Sequence, residues 1–192
     1  MSIIKTALFF LYVACIQFNF SQETAIYKDK ESVFSKALSL YHNNQFKAAQ
    51  VLFYELKNAE NTSKIKAADC AYYIANCAIR LDQQNAETLI ENFVDDYPNS
   101  RNRNSAFLDV ANYYFSKTKY AYAQKWYQKV DETSLTPEAQ EQFNFNYGYA
   151  LYVGKNEKAA QKYLNRVAYS ETYGDQAKYY IGYMAYEGDD YD

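Results

Sequence analysis

Four stretches of this chain share one pattern, and the clearest is KTKYAYAQKWYQKV at residues 117–130. The other three are NNQFKAAQVLFYEL at 43–56, DQQNAETLIENFV at 82–94 and GKNEKAAQKYLNRV at 154–167. When the four are aligned, one alanine in each falls at the same place, with a constant spacing of 37 residues: Ala49, Ala86, Ala123 and Ala160. A fixed period of this length predicts a repeat architecture, in which one supersecondary unit is stacked several times.

A second helical run precedes each aligned stretch. The runs are VFSKALSLYH, CAYYIANCAIRL, FLDVANYYFSK and FNYGYALYV, and their apolar residues return every three or four positions, as in an amphipathic helix. Each run carries a small residue eleven or twelve positions before the aligned alanine: Ala37, Ala75, Ala111 and Gly148. Small residues let two helix backbones approach closely, so each unit is predicted to be a pair of antiparallel helices.

The composition favours helices over strands. The chain has 23 Tyr and 12 Phe but only 5 Gly and 2 Pro, so it lacks the turn residues that a many-stranded sandwich or barrel needs. The turn residues that do occur fall between the predicted helices or close the second unit: Asn43-Asn44, Gln84-Asn85, Gly154, Gly188 and Tyr97-Pro98-Asn99-Ser100. We therefore predict an all-α fold.

The repeating unit resembles the tetratricopeptide repeat. The resemblance lies in a small residue, then an aromatic such as Phe46 or Tyr120, then the aligned alanine, with YPNS at 97–100 closing one unit. It implies a right-handed superhelix of antiparallel helix pairs, an α-solenoid, over residues 30–192. The implied units are 30–64, 65–100, 101–137, 138–174 and an incomplete 175–192. The unit is longer than the family's usual length of about 34 residues, and Glu157 replaces the aromatic before the fourth alanine.

The last residues match the first helix of a fifth unit. Gly182 occupies the small position and Tyr191 the place of the aromatic, while the aligned alanine would be residue 194. A helix pair that lacks its second helix leaves an apolar face uncovered. We therefore expect this chain to be the N-terminal part of a longer repeat protein.

The N-terminus has the pattern of a secretory signal peptide. Lys5 precedes an apolar run at 7–16, and no acidic residue occurs before Glu23. The run is too short to be a confident membrane span. We predict a signal peptide at 1–21, followed by a short linker at 22–29.

Export implies a location in the periplasm or at the periplasmic face of the outer membrane. Lipid attachment at Cys15, which follows Tyr12-Val13-Ala14, is the alternative to plain secretion. The abundance of Asn, Lys and Tyr, with FSQ at the end of the signal, is similar to exported repeat proteins of the Bacteroidetes. Such a protein is expected to act in the cell envelope, with outer-membrane association as one possibility.

The residues offer little for catalysis, metal binding or nucleic-acid binding. Without residues 1–21 the chain has 19 Lys and Arg against 23 Asp and Glu, and no basic stripe, so nucleic acid is not an expected partner. His42 is the sole histidine, and the adjacent acids Asp95-Asp96 and Asp189-Asp190 flank turns. Cys70 and Cys77 are about 10.5 Å apart along one helix, beyond disulfide reach. We expect no enzyme activity, no metal and no cofactor.

The resemblance to the tetratricopeptide repeat also implies a binding surface. In that family the first helices of the units line a concave wall on which peptides lie. The matching positions are Tyr41, His42, Asn76, Arg80, Asn112, Phe115, Tyr149, Tyr152, Tyr183 and Tyr186. Phe34, Tyr72 and Leu108 stand where a carboxylate-binding clamp would need Lys, so that clamp is not predicted.

Two interpretations of the Tyr-rich positions stay open. The rings and the amides of Asn76 and Asn112 can hold a peptide, because rings give contact area at low entropy cost and amides bond a backbone. Alternatively, the rings pack against the neighbouring unit and only their hydroxyls meet water. The leading functional hypothesis is a non-enzymatic scaffold that binds a protein or peptide. A regulatory arm of a larger protein, and a structural spacer or self-association element, are the alternatives.

Overall fold

The computed structural model describes residues 29–188, all of which belong to helices and the turns between them. The predicted signal peptide, the linker up to residue 28, Cys15, Asp189-Asp190 and Tyr191 lie outside the described residues. The all-α prediction is confirmed for 29–188, where nine α-helices and no strand occur. In chain order they are α1 (29–42), α2 (Phe46–Asn58), α3 (Lys64–Arg80), α4 (Ala86–Asp96), α5 (Arg103–Ser116), α6 (Tyr120–Tyr127), α7 (Pro137–Val153), α8 (Glu157–Leu164) and α9 (Gly174–Gly188).

Short connections join the two helices in three of the pairs. Three residues separate α1 from α2, α5 from α6 and α7 from α8, whereas nine separate α6 from α7 and α8 from α9. The connections after α2, α3 and α4 are intermediate, with five, five and six residues. Single 3₁₀ turns, Glu132–Ser134 and Asn165–Val167, lie in the two long connections. The first helices of the later pairs begin at Lys64, Arg103 and Pro137, within two residues of the predicted unit starts.

The same turn ends the first helix of all four pairs. A residue with positive φ follows the helix each time: Asn44 at 59°, Asp82 at 52°, Thr118 at 57° and Lys155 at 61°. The backbone N–H of the next residue donates to a carbonyl oxygen five residues back, for example Gln45 to Leu40 and Lys119 to Tyr114. This is the Schellman motif, which satisfies carbonyl groups left open at a helix C-terminus.

Gly154 lies in the turn between α7 and α8, as predicted. Its φ is −77°, and Lys155 rather than Gly154 adopts the left-handed conformation. Thr118 does the same in the third pair, although a β-branched residue is an outlier in that conformation. Gly188, also expected in a turn, is the last residue of α9.

The described residues divide into two compact units, 29–77 and 78–188. The core of the first unit brings together rings from α1, α2 and α3. Phe53 stacks on Tyr73 with 4.9 Å between ring centroids, and stands edge-on to Phe34 at 5.7 Å. Within the same core the amide of Gln50 donates to the carbonyl oxygen of Ile74 at 3.1 Å and ties α2 to α3.

In the second unit each helix from α5 to α9 packs on its sequence neighbour, and the first helices of successive pairs also touch. The neighbouring contacts are α5 with α6, α6 with α7, α7 with α8 and α8 with α9, while α5 with α7 and α7 with α9 are the contacts between first helices. Trp126, Tyr127, Phe143 and Leu164 are almost completely buried between them.

The small residues of the repeat pattern lie in the core, with one exception. The buried alanines are Ala37, Ala49, Ala75, Ala86, Ala111, Ala123 and Ala160. A Cβ added to Gly148 would come within 2.9 Å of the Cγ of Leu164 and 3.2 Å of its backbone nitrogen. Gly182 is exposed, and a Cβ there would meet nothing within 4 Å. Nothing in residues 29–188 packs on Gly182, so its role as a contact position stays a prediction.

Candidate functional site

Helices α5, α6, α7 and α9 border a cleft of about 460 Å³ in the second unit. Six of its eight lining side chains are aromatic, and the other two, Asp175 and Gln176, are polar residues of α9. We call it the aromatic cleft; its aromatic residues are Phe115, Tyr120, Phe145, Tyr149, Tyr179 and Tyr180. Sites for small ligands or single side chains are commonly about 300–1,000 Å³, so the cleft is of suitable size.

Helical spacing brings these side chains to one place. Phe145 and Tyr149 are four residues apart on α7, and so are Gln176 and Tyr180 on α9. Side chains separated by four residues lie on the same helix face. Phe115 is in the last turn of α5 and Tyr120 begins α6, so the short turn between these helices places both rings beside α7.

Tyr149 is the centre of the ring contacts in the aromatic cleft. Its ring centroid lies 5.8 Å from that of Phe115, 5.3 Å from Tyr120 and 4.9 Å from Tyr180, each in an edge-to-face arrangement. Such pairs contribute about 0.5–1.5 kcal/mol each beyond the area they bury. Tyr149 therefore joins α5, α6, α7 and α9 through one side chain.

Tyr120 and Tyr180 also interact with Tyr149 through their hydroxyl groups, which adds to the rise of their pKa values. Partial burial is the largest cause that raises the pKa of Tyr180, to about 12, and the neighbouring phenols add to it. Partial burial likewise raises the pKa of Tyr120. Both phenols are thus neutral near pH 7.

Three tyrosines of α9 remain exposed beside the cleft. Tyr179 is 65% exposed, Tyr183 39% and Tyr186 68%. Tyr183 stacks on Tyr179 with 6.4 Å between centroids and meets Tyr152 of α7 edge-on at 6.3 Å. We call Tyr179, Tyr183 and Tyr186 the exposed tyrosine row. Exposed clusters of large apolar side chains are typical of binding surfaces.

Two carboxylates, Glu157 and Glu187, act on the hydroxyls of Tyr152 and Tyr183. A hydrogen bond to Glu187, followed by the charge of that carboxylate, raises the pKa of Tyr183. Partial burial raises the pKa of Tyr152, and the charges of Glu187 and Glu157 raise it further. The lining of the aromatic cleft contains Asp175 and no Lys, Arg or His.

The structure distributes the predicted binding residues among several environments. Phe115 and Tyr149 line the aromatic cleft, Tyr152 adjoins it, and Tyr183 and Tyr186 belong to the exposed tyrosine row. In the first unit Tyr41 is half-buried, with its ring 5.5 Å from Phe46 and 5.1 Å from Tyr73. His42 and Arg80 are exposed. The rings of Tyr41, Tyr149 and Tyr152 therefore contact neighbouring rings, as the packing interpretation of these positions expects.

The two amides predicted to bind a ligand backbone are placed differently. The oxygen of the Asn112 side chain accepts from the Tyr127 hydroxyl at 2.7 Å and from the Asn146 amide at 3.2 Å. Its nitrogen donates to Gln142 at 3.4 Å. Asn76 is 2% exposed. We correct the expectation for both, because one amide joins helices internally and the other lies in the interior.

Sequence reasoning missed most of the aromatic cleft, namely Phe145, Asp175, Gln176, Tyr179 and Tyr180. A partial signal was present in the four-residue spacing from Phe145 to Tyr149 and from Gln176 to Tyr180. That signal is weak because α9 carries tyrosines at 179, 180, 183 and 186, which point to more than one face of a helix.

A second, polar cleft of about 580 Å³ lies between α7 and the two 3₁₀ turns. Arg166 forms an ion pair with Glu132 there, and it also donates to the side-chain oxygen of Asn144 at 3.2 Å. Glu141 accepts from the Ser170 hydroxyl at 2.7 Å. These polar groups already have partners, so the aromatic cleft is the stronger candidate for a ligand.

The cysteine and acidic side chains show no arrangement for thiol chemistry or metal binding in the part of the chain that the structure describes. Burial raises the pKa of the Cys70 thiol to about 12, and Cys77 is also buried. Within residues 29–188, no group of three or more His, Cys, Asp or Glu side chains is placed to hold a metal ion. None of the helices α1 to α9 combines the length and hydrophobicity that crossing a membrane requires.

Comparisons of this chain with protein families, with curated proteins and with solved structures find no match.

Proposed function

We propose that this chain is a non-enzymatic binding protein that holds a polypeptide segment at the aromatic cleft and the exposed tyrosine row. The observation that carries the proposal is the continuity of the two. Tyr179 belongs to both, and Tyr183 extends the surface along α9. Tyrosine is enriched at binding hot spots, since its ring gives a large rigid contact and its hydroxyl bonds to polar groups.

The cleft is suited to receive a ligand without large rearrangement. Its rings hold one another through edge-to-face contacts of Tyr149 with Phe115, Tyr120 and Tyr180. A surface already ordered before binding loses less conformational entropy when the ligand arrives. A polypeptide offers both a side chain for the cleft and a backbone long enough to follow α9.

The repeat architecture and the location belong to the same proposal. The 37-residue period, the repeated Schellman turn and the packing of successive pairs in the second unit support a tetratricopeptide-like superhelix. The residues 1–21 support export, and the sequence resemblance supports a role as a scaffold in a bacterial cell envelope.

A selection from a random peptide library displayed on phage tests the binding function. The purified protein is immobilised, and enriched clones are then offered to the double variant Tyr179→Ser/Tyr183→Ser. We expect that variant to lose the clones, because two rings of the proposed surface are removed. Tyr169→Ser is the matched control, since Tyr169 is 92% exposed and lies outside the cleft lining.

Retention of the clones by all three proteins would place binding elsewhere on the molecule. Recovery of no clone above background would remove the support for peptide binding.

Self-association through the exposed tyrosine row is the second candidate. The row places three partly or largely exposed rings on one helix, which a second copy could cover. Light scattering across a range of protein concentration separates the two. A measured mass that equals that of one chain at every concentration, 22.4 kDa for all 192 residues, excludes self-association.

A further inference from the structure

The lining of the aromatic cleft has a chemical bias that narrows the class of ligand. Six rings surround one carboxylate, Asp175, and no basic side chain lines the cleft. Within residues 29–188 Asp175 forms no ion pair, whereas Glu31, Asp82, Glu87, Glu91 and Glu132 all have Lys or Arg partners. The charge of Asp175 is therefore available to a ligand.

Two carboxylates act beside the cleft, and the one Lys of α9, Lys178, has its ammonium 5.3 Å from the ring of Tyr169, outside the cleft lining. The charged groups that act on the hydroxyls of Tyr152 and Tyr183 are the carboxylates of Glu187 and Glu157. The faces of aromatic rings are also negative, because of the quadrupole of the π system. An anionic ligand would meet like charge here and find no basic side chain in the lining.

Cations are the ligands that such a surface attracts. A Lys or Arg side chain over a Tyr or Phe ring is attracted by the ring quadrupole, and the attraction is stronger when the contact is desolvated. The protein uses this contact itself elsewhere, with the ammonium of Lys129 4.4 Å from the Trp126 ring and that of Lys66 3.9 Å from the Phe34 ring. The long apolar stems of Lys and Arg also pack well against rings.

We propose that the aromatic cleft binds a Lys or Arg side chain of a polypeptide ligand, with its stem against the rings and its charge facing Asp175. This inference rests on the proposed binding function and specifies its ligand. Tyr179 and Asp175 are four residues apart on α9 and supply a ring and a carboxylate from the same face. The exposed tyrosine row contacts the ligand backbone beyond the charged residue.

The peptide selection described above gives the first test. We expect the enriched clones to share a Lys or Arg, and a synthetic peptide of one clone to lose binding when that Lys is acetylated. Acetylation keeps the stem and removes the charge. Enriched clones without a shared cation, or equal binding of the acetylated peptide, overturn the inference and leave the proposed function standing. Recovery of no clone overturns both.

Charge removal in the protein gives the second test. Asp175→Asn keeps the size of the side chain. We expect it to raise the dissociation constant of the Lys peptide about 3- to 10-fold and to make this binding less dependent on salt concentration. The matched control is Glu138→Gln, since Glu138 also lies in the first turn of a helix, α7, and outside the cleft lining. Both changes weaken a helix-dipole interaction, so any common loss of stability appears in both.

Ring removal completes the design. Tyr179→Leu keeps an apolar side chain and removes the π face, and Tyr169→Leu makes the same change outside the cleft lining. We expect Tyr179→Leu to lower the affinity for the Lys peptide about 3- to 10-fold and to leave the affinity for the acetylated peptide unchanged. Equal affinity of Asp175→Asn, Tyr179→Leu and the unchanged protein for the Lys peptide would overturn the inference.

Discussion

Helices α7 and α9 occupy the same place in the repeat pattern, yet they bury their side chains differently. Phe143, Tyr147 and Gly148 of α7 are buried, with α8 packed against them. On α9 the helical stretch from Lys178 to Gly188 buries only Met184. The comparison shows that the repeat pattern specifies the positions at which two helices can pack closely. Whether a side chain at such a position is buried depends on the neighbouring helix.

The largest expected difference between the two helices concerns aromatic truncation. Phe143→Ala removes a ring that contacts Tyr127, Tyr147 and Tyr163, and it should lower the free energy of unfolding by about 3–5 kcal/mol. Tyr179→Ala on α9 should lower it by less than about 1 kcal/mol, because the ring is largely exposed. Urea denaturation of the two variants measures the difference. Equal losses would mean that α9 is as covered as α7.

The two glycines sharpen the comparison, since the same substitution should change stability in opposite directions. Gly148→Ala places a methyl group 2.9 Å from the Cγ of Leu164 and should destabilise by about 1 kcal/mol or more. Gly182→Ala has open space around it and should stabilise by about 0.5–1 kcal/mol through helix propensity. Thermal unfolding of both is the measurement, and a stabilised Gly148→Ala would contradict the close approach of α7 and α8.

The smallest expected effect concerns the turn that ends α7. Lys155 has a φ of 61°, and replacing it with glycine should raise the free energy of unfolding by about 0.5 kcal/mol by relieving the left-handed strain. Lys158→Gly is the matched control in α8, where the same change should destabilise by about 1 kcal/mol. If Lys155→Gly is destabilising too, the turn does not depend on the left-handed conformation.

The candidate site was less predictable than the fold, for a physical reason. Asn112 and Phe115 lie three residues apart near the C-terminal half of α5, and sequence reasoning placed both on a ligand surface. The structure directs Asn112 toward Tyr127 and Asn146 and places Phe115 in the aromatic cleft. A rotation of a helix by a small part of a turn decides between these outcomes, and it depends on the packing of α6 and α7. Asp175 carried no sequence signal, because an acidic residue in a first helical turn is common for the helix dipole alone.

The amino-acid sequence by itself determined that residues 29–188 are helical, that four alanines recur at a spacing of 37 residues, and that small residues are needed at these positions. Those properties follow from local propensity and from the steric limit at close helix contacts, both of which repeat along the chain. The tertiary structure alone decided which tyrosines pack and which stay exposed, that Lys155 rather than Gly154 takes the left-handed turn, and that Asp175 meets a cluster of rings. Tyrosine is compatible with both the interior and the surface, so only the arrangement of neighbouring helices assigns it to one of them.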